Sequence, residues 1–393
     1  MKPSSPLLQK QEKRIAERNL DSCCGYELAK DIFSLVKIPS YDQALRDGWA
    51  VHSDESGPWS LEKQIENGSL PSPLAKGKAA PINTGGYIPI GADCVISKKE
   101  AMLSGGKLIN LSELHFSEEN ILKAGSEWDI GQLIIPKGKI LTAPLVALLQ
   151  DANVTTVPIL DRPVVTIIAT GEELTSGDLN QTDQTKRHAS NAFYLRMLLD
   201  TLNLADTVTI QVGDNKELLS DALLEASKYS DFIITSGGTG QGSKDLLRQS
   251  ILLSKGELFE DDVKLSDSNP FVRGMVKNTR VYGLPGNPLG FLSITQRFLL
   301  DEIWNFSHTA PLTFPKIPVE LGFTIEPKPG DVCVQLTTGK NVIALPVIKG
   351  TGRTSSFGRI SAVIPNPKGQ LMEAGSLQTA ELFIQTPQQL PYY

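Results

Sequence analysis

The sequence is poor in cysteine and histidine, with four of each among 393 residues. The cysteines are Cys23, Cys24, Cys94 and Cys333, and no two of them have C-x-x-C spacing. Adjacent cysteines pair poorly with each other, so we expect reduced and mostly buried thiols, as in a cytoplasmic protein. The few, scattered histidines argue against a zinc site.

The chain also lacks long basic runs and long apolar runs. Its formal net charge is −6 and its pI is about 5.4, which argues against nucleic acid as a partner. No stretch reaches the roughly 18 apolar residues of a membrane span, and residues 1–20 have no apolar core of signal-peptide length. We therefore expect a cytoplasmic protein that does not insert into a membrane.

The length predicts about two to four domains, and the residue pattern of the sequence changes along the chain. The start reads as a helical lead-in over residues 1–36, ending in an amphipathic segment at 26–33. The predicted division is a discontinuous N-terminal linker domain of helical and mixed structure, a β-rich domain, an α/β domain and a small C-terminal β domain. These cover residues 1–38 with 126–160, 39–125, 161–308 and 309–393.

The α/β domain alternates apolar strands with amphipathic helices, which predicts a parallel sheet covered on both faces. Strands are predicted at 163–169, 208–212, 231–235 and 280–284, and helices at 191–202, 216–228, 244–253 and 289–306. In the last domain, strands are predicted at 315–319, 332–336, 342–347 and 382–385.

Glycine-rich turns follow three of the predicted parallel strands. They are T-G-E-E-L (170–174), S-G-G-T-G-Q-G-S-K-D (236–245) and P-G-N-P (285–288). Glycine lets backbone N–H groups approach an anion, and a following helix N-terminus adds donors and a favourable dipole. Because ligands of such sheets bind beyond the carboxyl ends of the strands, the three turns predict a phosphate-binding pocket.

Each turn also has a simpler interpretation. A lone glycine turn is often only a tight turn, and Glu172, Glu173 or Asp245 could be first-turn helix charges. Beside a phosphate, however, Glu173 and Asp245 would be repelled unless a cation such as Mg²⁺ lay between them. The segments match neither a Walker loop, nor a dinucleotide-binding turn, nor a nucleophile elbow.

Two segments, T-S-G-G-T-G-Q-G-S-K-D (235–245) and G-L-P-G-N-P (283–288), resemble the signature loops of molybdopterin-binding proteins. Further segments resemble the MoeA and gephyrin E-domain family, the molybdopterin molybdotransferases. These segments are D-G-W-A (47–50), T-G-G-Y-I-P-I-G-A-D (84–93), E-W-D-I-G-Q (127–132), A-T-G-E-E-L (169–174) and S-N (190–191). The resemblance is in register over residues 25–306 and weaker beyond, where G-R-T-S-S (352–356) resembles a family loop.

The resemblance implies an α/β multidomain fold with a doubly wound, MogA-like molybdopterin-binding domain and a small C-terminal β-barrel. It implies a homodimer in which the β-rich domain of one subunit closes the pocket of the other, and a possible MogA-like adenylyltransferase partner. The implied reaction inserts molybdate into adenylylated molybdopterin with Mg²⁺ and releases AMP.

The resemblance also implies roles for individual residues. The implied catalytic residues are Asp47, Thr84, Glu173, Asp214 and Asp245, with Glu173 and Asp245 managing the metal. The implied pterin- and phosphate-binding residues are Thr170, Gly171, Ser236, Gly237, Gly238, Thr239, Gly242, Pro285, Gly286, Asn287 and Pro288.

The sequence departs from the family at a loop that generally reads K-P-G-K-P. Here Ser266 and Asn269 stand in place of its two lysines, which face phosphate and molybdate in the family. Charge-assisted contacts to an anion are worth about 1.5–3 kcal/mol, so this loss is large. Lys264, Arg273 or Arg46 could substitute; a solvated surface charge is the simpler interpretation of Arg273.

Three functional hypotheses follow. An active molybdotransferase with a rearranged anion site is favoured by retention of Asp47, Thr84, Glu173 and Asp245. A non-catalytic binding or scaffold protein is favoured by the missing lysines. Nucleotidyl transfer that makes the adenylylated pterin is disfavoured by the extra domains.

Overall fold

The computed structural model describes residues 13–111, 118–171, 174–175, 187–239, 246–259, 271–328, 330–338, 341–347 and 357–385. The chain forms two compact units. The N-terminal unit comprises Glu17–Cys24 and Leu28–Pro158, and the C-terminal unit comprises Met1–Ala16, Gly25–Glu27 and Ile159–Tyr393. No described helix is both long enough and apolar enough to cross a membrane.

The N-terminal half of the described chain is rich in β-structure. Its elements are β1 (Ile15–Asn19), β2 (Ile32–Phe33), β3 (Gln43–Ala44), β4 (Gly48–Val51), β5 (Trp59–Leu61), β6 (Lys78–Ile82), β7 (Cys94–Ser97), β8 (Ala101–Ser104), β9 (Lys107–Asn110), β10 (Ile121–Leu122), β11 (Leu133–Ile135), α1 (Ala143–Asp151) and β12 (Thr156–Leu160). Six strands form a sheet in the order β7-β4-β6-β5-β9-β8. Trp59, Val51 and Leu108 are fully buried on it and supply its core.

The helical lead-in predicted over residues 1–36 is wrong for its described part. Residues 13–36 contain β1, a single 3-10 turn at Leu20–Ser22 and β2. Within the predicted amphipathic segment, the amides of Leu28 and Ala29 donate to the distant carbonyls of Lys139 and Pro158. These long-range hydrogen bonds replace the local ones of a helix, so tertiary contacts override the local pattern.

The α/β domain follows the predicted alternation. Its elements are β13 (Val164–Thr170), β14 (Leu174–Thr175), β15 (Arg187–His188), α2 (Ser190–Leu202), β16 (Asp206–Val212), α3 (Lys216–Ala226), β17 (Phe232–Ser236), α4 (Leu246–Leu253), β18 (Glu257–Leu258), β19 (Val272–Val276), β20 (Thr279–Leu284), α5 (Pro288–Ile294) and α6 (Leu300–Ser307). A π-helical segment, Thr295–Leu299, joins α5 to α6, so the predicted helix over 289–306 is present with a changed winding.

The central sheet has the order β16-β13-β17-β20-β19-β18. Its first four strands are parallel, whereas β19 and β18 are antiparallel additions at one edge. The prediction of a parallel sheet is therefore correct for four strands and missed the antiparallel pair. Consecutive residues such as Ile167 and Ile168, or Ile233 and Ile234, are all fully buried, as expected for strands covered on both faces.

The C-terminal β domain is a closed five-stranded barrel of order β21-β23-β22-β24-β25. Its strands are β21 (Lys316–Leu321), β22 (Gly330–Thr338), β23 (Val342–Pro346), β24 (Ala362–Asn366) and β25 (Leu377–Leu382). The last strand was predicted at 382–385 but ends at Leu382, and β24 was not predicted.

Two side chains of the π-helical segment, the buried Gln296 and the partly buried Arg297, join the barrel to the α/β domain. The Gln296 amide donates to the Ile384 carbonyl at 2.9 Å and accepts from the Ile384 amide at 3.0 Å. Arg297 forms ion pairs with Asp331 and Glu381 of the barrel. The side chains of one helical turn therefore hold β22, β25 and the residues directly after β25.

Candidate functional site

The ends of the four parallel strands lie at the same level of the sheet. Thr170, the last residue of β13, pairs with Val212, the last of β16. Ser236, the last of β17, pairs with Leu284, the last of β20, and with Ala169 of β13. The segments that follow these strands therefore emerge side by side at one edge, where ligands of open α/β sheets bind.

The backbone of the turn after β17 lies close against β13. Gly237 and Gly238 have φ values of +101° and +71°, a region that favours glycine. An ideal Cβ on Gly237 would stand 2.9 Å from the Thr170 hydroxyl oxygen. That hydroxyl donates to the Ser236 carbonyl at 3.3 Å, and the Gly237 amide donates to the Leu284 carbonyl at 3.0 Å.

The turn after β20 is held by two asparagines. Asn287 caps α5, accepting from the Gly290 amide at 2.7 Å. Asn191, in the first turn of α2, donates from its amide nitrogen to the Gly286 carbonyl at 3.0 Å. Because α2 starts beside the 285–288 turn and α5 starts within it, two helix N-termini meet at this edge, which suits a bound anion.

The remaining predicted residues of this edge are distributed as follows. Thr239 is buried, and the Gly238 carbonyl accepts from the Leu247 amide at 3.1 Å, which places the start of α4 beside the turn. Asp214 is exposed two residues after β16. Glu173, Gly242 and Asp245 lie outside the described residues, as do Lys264, Ser266 and Asn269.

The hydroxyls of Thr170, Ser236 and Thr239 occur at this edge, and Mg²⁺ takes oxygen ligands together with substrate phosphates. Within the described part of the chain, no group of three or more His, Cys, Asp or Glu side chains could hold a metal ion. The hydroxyl oxygens are of the ligand type that Mg²⁺ takes, and the carboxylates predicted to hold it, Glu173 and Asp245, lie outside the described residues.

The N-terminal unit carries the other two predicted residues in one exposed cluster. Asp47 precedes β4, and its Oδ1 accepts from the Thr84 amide at 2.9 Å and from the Thr84 hydroxyl at 3.0 Å. Its Oδ2 lies 3.4 Å from the ammonium of Lys98. The hydrogen bonds from Thr84, followed by the contact with Lys98, hold the pKa of Asp47 below its ordinary value.

Glycine at position 48 is explained by the same sheet. An ideal Cβ on Gly48 would stand 2.0 Å from the carbonyl oxygen of Ile96 on the neighbouring strand β7. The D-G-W-A segment therefore uses its glycine for a close approach of two strands, which positions Asp47 beside the end of β7.

Arg273 is not the solvated surface charge that is its simpler interpretation. Its side chain lies in β19 and is buried, with the guanidinium 5.4 Å from the centre of the Phe298 ring. Burial lowers the pKa of Arg273, opposed by Tyr282 and Glu302. No local pattern indicates this burial, because the antiparallel strand that carries Arg273 was itself not predicted.

Sequence reasoning also missed Lys98 as a neighbour of Asp47. Lys98 belongs to a K-K-E segment (98–100), which looks like a solvated turn. Only the antiparallel pairing of β4 with β7, Gly48 opposite Ser97, brings it to Asp47.

Two family models match this chain over most of its length. The model for the MoeA N-terminal region (domain I and II) matches residues 4–152, and the model for a probable molybdopterin binding domain matches residues 166–304. The chain belongs to the MoeA family. The match to the molybdopterin binding domain covers the sheet edge with its glycine turns. The match to the MoeA N-terminal region covers the Asp47 cluster, which consists of Asp47, Thr84 and Lys98.

Similar proteins are named molybdopterin molybdenumtransferase. The protein from Haemophilus influenzae is 29% identical over 279 residues, which cover 70% of this chain and 68% of that protein. The protein from Staphylococcus epidermidis is 29% identical over 286 residues, which cover 69% of this chain and 66% of that protein. The matched region thus spans about two thirds of these MoeA relatives.

Solved structures show the same fold. Two structures of the molybdopterin biosynthesis MoeA protein from Pyrococcus horikoshii superpose with TM-scores of 0.78 and 0.69, at 23% and 20% identity. The first covers 95% of both chains, and the second covers 94% of this chain and 95% of the other. The multidomain α/β fold with a MogA-like domain and a closed β-barrel is therefore confirmed.

Proposed function

We propose that this chain inserts molybdate into adenylylated molybdopterin and releases AMP, a step of molybdenum cofactor biosynthesis. The observation that carries the proposal is the contact of Gly237 with Thr170 at the carboxyl edge of the parallel sheet. It leaves main-chain amides uncovered by any Cβ, beside helix N-termini that favour an anion. The names of the family relatives support the same reaction.

In this proposal each turn has a distinct task. The Ser236 hydroxyl and the Gly238 amide bind phosphate, whereas the Gly237 amide donates to the Leu284 carbonyl and Gly237 supplies the space that a Cβ would fill. The 285–288 turn with its cap at Asn287 forms the adjoining wall. Glu173, Asp214 and Asp245 supply the acidic groups. Mg²⁺, held by Glu173 and Asp245, would neutralise charge on the phosphoanhydride oxygens.

The proposal includes a second copy of the chain. We propose a homodimer in which Asp47 and Thr84 of one copy line the pocket of the other. Both side chains are exposed and already tied to each other by two hydrogen bonds. A MogA-like adenylyltransferase is the proposed supplier of the adenylylated substrate.

The test is release of AMP from adenylylated molybdopterin by the purified protein, with Mg²⁺ and molybdate present. Asp245→Ala should abolish release, because it removes a proposed metal ligand. Asp206→Ala is the matched control: Asp206 is exposed and begins β16, at the opposite end of the strand from Val212. It should release AMP at the wild-type rate.

The outcomes separate the hypotheses. Molybdate-dependent release that only Asp245→Ala abolishes supports the enzyme. Tight binding of molybdopterin without release supports the non-catalytic binding or scaffold protein, which the missing lysines favour. Absence of both binding and release rejects both functions.

A further inference from the structure

Three strand ends meet at one edge of the six-stranded sheet of the N-terminal unit. In β4, Gly48 pairs with Ile82 of β6 on one side and with Ser97 of β7 on the other. Both neighbours run antiparallel to β4. Asp47, immediately before β4, therefore lies between the segments that follow β6 and β7, which carry Thr84 and Lys98.

The Asp47 carboxylate organises these two neighbours. One of its oxygens accepts both Thr84 donors, and the other accepts from the Lys98 ammonium. The Asp47 carbonyl also accepts from the Lys98 amide at 3.2 Å. Lys98 is thus fixed at both its backbone and its side chain, which reduces the conformational entropy lost when it binds a ligand.

Lys98 retains capacity for a further partner. An ammonium group has three donors, and Asp47 is its one hydrogen-bond acceptor among the described residues. The Lys98 side chain is 57% exposed. Arg46, directly before Asp47, is exposed and forms no hydrogen bond or ion pair with any described residue. The Lys98 ammonium therefore contacts a carboxylate that Thr84 already engages, and a second cationic residue, Arg46, directly precedes that carboxylate in the chain.

We propose that Lys98, supported by Arg46, binds a tetrahedral oxyanion of the substrates and takes over the task of the lysines absent at Ser266 and Asn269. The inference rests on the proposed function, since it assigns the Asp47 cluster to the same pocket. Molybdate and the phosphates of the adenylylated pterin share this chemistry. A cation with a compact, hydrated head and free donors suits either of them.

The test compares Lys98→Ala with Lys76→Ala in AMP release. Lys76 is the matched control, because it also pairs with an exposed aspartate, Asp54, at 2.8 Å in the same unit. Lys98→Ala should raise the KM for molybdate or for the adenylylated pterin about five- to tenfold, as expected for one exposed charge-assisted contact. Lys76→Ala should leave both KM values within twofold, and Lys98→Arg should recover most of the loss.

Two further readouts exclude a structural role. The KM of the wild type should rise with ionic strength more steeply than that of Lys98→Ala, because the lost contact is a screened charge. The thermal midpoints of unfolding of Lys98→Ala and Lys76→Ala should match that of the wild type. The substrate whose KM changes identifies the oxyanion.

Unchanged KM values, or equal effects of the two substitutions, would overturn the inference while AMP release upholds the proposed function. If the wild type releases no AMP, the proposed function fails, and calorimetric binding of molybdate alone and of AMP alone then tests Lys98. Weaker binding of either probe by Lys98→Ala would support the anion site, and equal binding of both would reject it.

Discussion

Gly237 and Thr170 touch across two neighbouring strand ends, so closely that a methyl group on Gly237 would stand 2.9 Å from the Thr170 hydroxyl oxygen. Gly237 also has a φ of +101°. The turn therefore needs glycine for its backbone conformation and for space at the same time. Both demands arise where the proposed phosphate contacts are made by the main chain.

Gly237→Ala should cost about 1–3 kcal/mol of stability and lower the affinity for molybdopterin at least about tenfold. The added Cβ has to displace either the turn or the Thr170 side chain, and both form the edge. Gly213→Ala is the control at the same edge, because Gly213 has no positive φ and no neighbour within 4 Å. Its stability should change by less than about 0.5 kcal/mol. Wild-type affinity in Gly237→Ala, measured by calorimetry, would contradict the phosphate role of the turn.

Gly48→Ala should destabilise the N-terminal unit by about 3 kcal/mol or more in urea unfolding. The new Cβ would stand 2.0 Å from the Ile96 carbonyl oxygen, a main-chain atom that cannot rotate away. Gly68→Ala, at a φ of +81° with nothing within 4 Å, isolates the cost of backbone conformation and should lose only about 1 kcal/mol. A loss in Gly48→Ala no larger than that in Gly68→Ala would show that the two strands move apart at a cost of only about 1 kcal/mol.

The α/β domain could be predicted from sequence because its signals are local. Long apolar strands such as β13 and β17 end in glycine turns, and the order of strands and helices sets the parallel pairing. The division into four domains stays a prediction, since the two compact units do not test its boundaries.

The missed elements depend on distant contacts. The hairpin of β19 and β20 turns at Lys277, which has a φ of +54°. Without glycine in the turn, the strongest hairpin signal is absent. In β25 only Ala380 is buried, so the strand has no alternating apolar pattern. The lead-in segment, in turn, is fixed by hydrogen bonds to residues more than a hundred positions away.

Part of the candidate site could likewise be predicted from the sequence, and part of it could not. The glycine turns could be predicted, because the residues that form each turn are consecutive in the sequence. The contact of Lys98 with Asp47 and the hydrogen bond from Asn191 to Gly286 could not be predicted, because they depend on pairing between segments far apart in the chain. The tasks assigned to Glu173 and Asp245 remain predictions.

The stability of the C-terminal unit should fall as the pH falls from about 6.5 toward 4. Burial lowers the pKa of His308 to about 4, and the charges of Lys13 and Arg162 act in the same direction, opposed by the Trp304 carbonyl. The unfolded chain binds the proton near pH 6.5 and the folded chain only near 4. Protons therefore favour the unfolded state in this window, by about 1–2 kcal/mol at pH 5.

His308→Phe should flatten this dependence between pH 7 and 5 while keeping the ring stacked on Trp304, where the centroids are 3.6 Å apart. Urea unfolding at both pH values measures the difference. His188→Phe, at an exposed histidine in β15, is the control and should keep the wild-type slope. A steep slope that persists in His308→Phe would assign it to other groups.

Arg297→Met should destabilise the C-terminal unit by about 3 kcal/mol. Arg297 pairs with Asp331 and Glu381, whose side chains are only 17% and 15% exposed. Its loss removes the cation that these two carboxylates share and leaves Glu381 with the exposed Lys316 as its ion-pair partner. Lys228→Met, which removes an exposed partner of Glu225, should cost less than about 0.5 kcal/mol. Adding Asp331→Asn to Arg297→Met should recover part of the loss, because it removes one of the two repelling charges. Calorimetric unfolding of the four proteins measures these differences, and a double variant less stable than Arg297→Met would show that repulsion is not the cause.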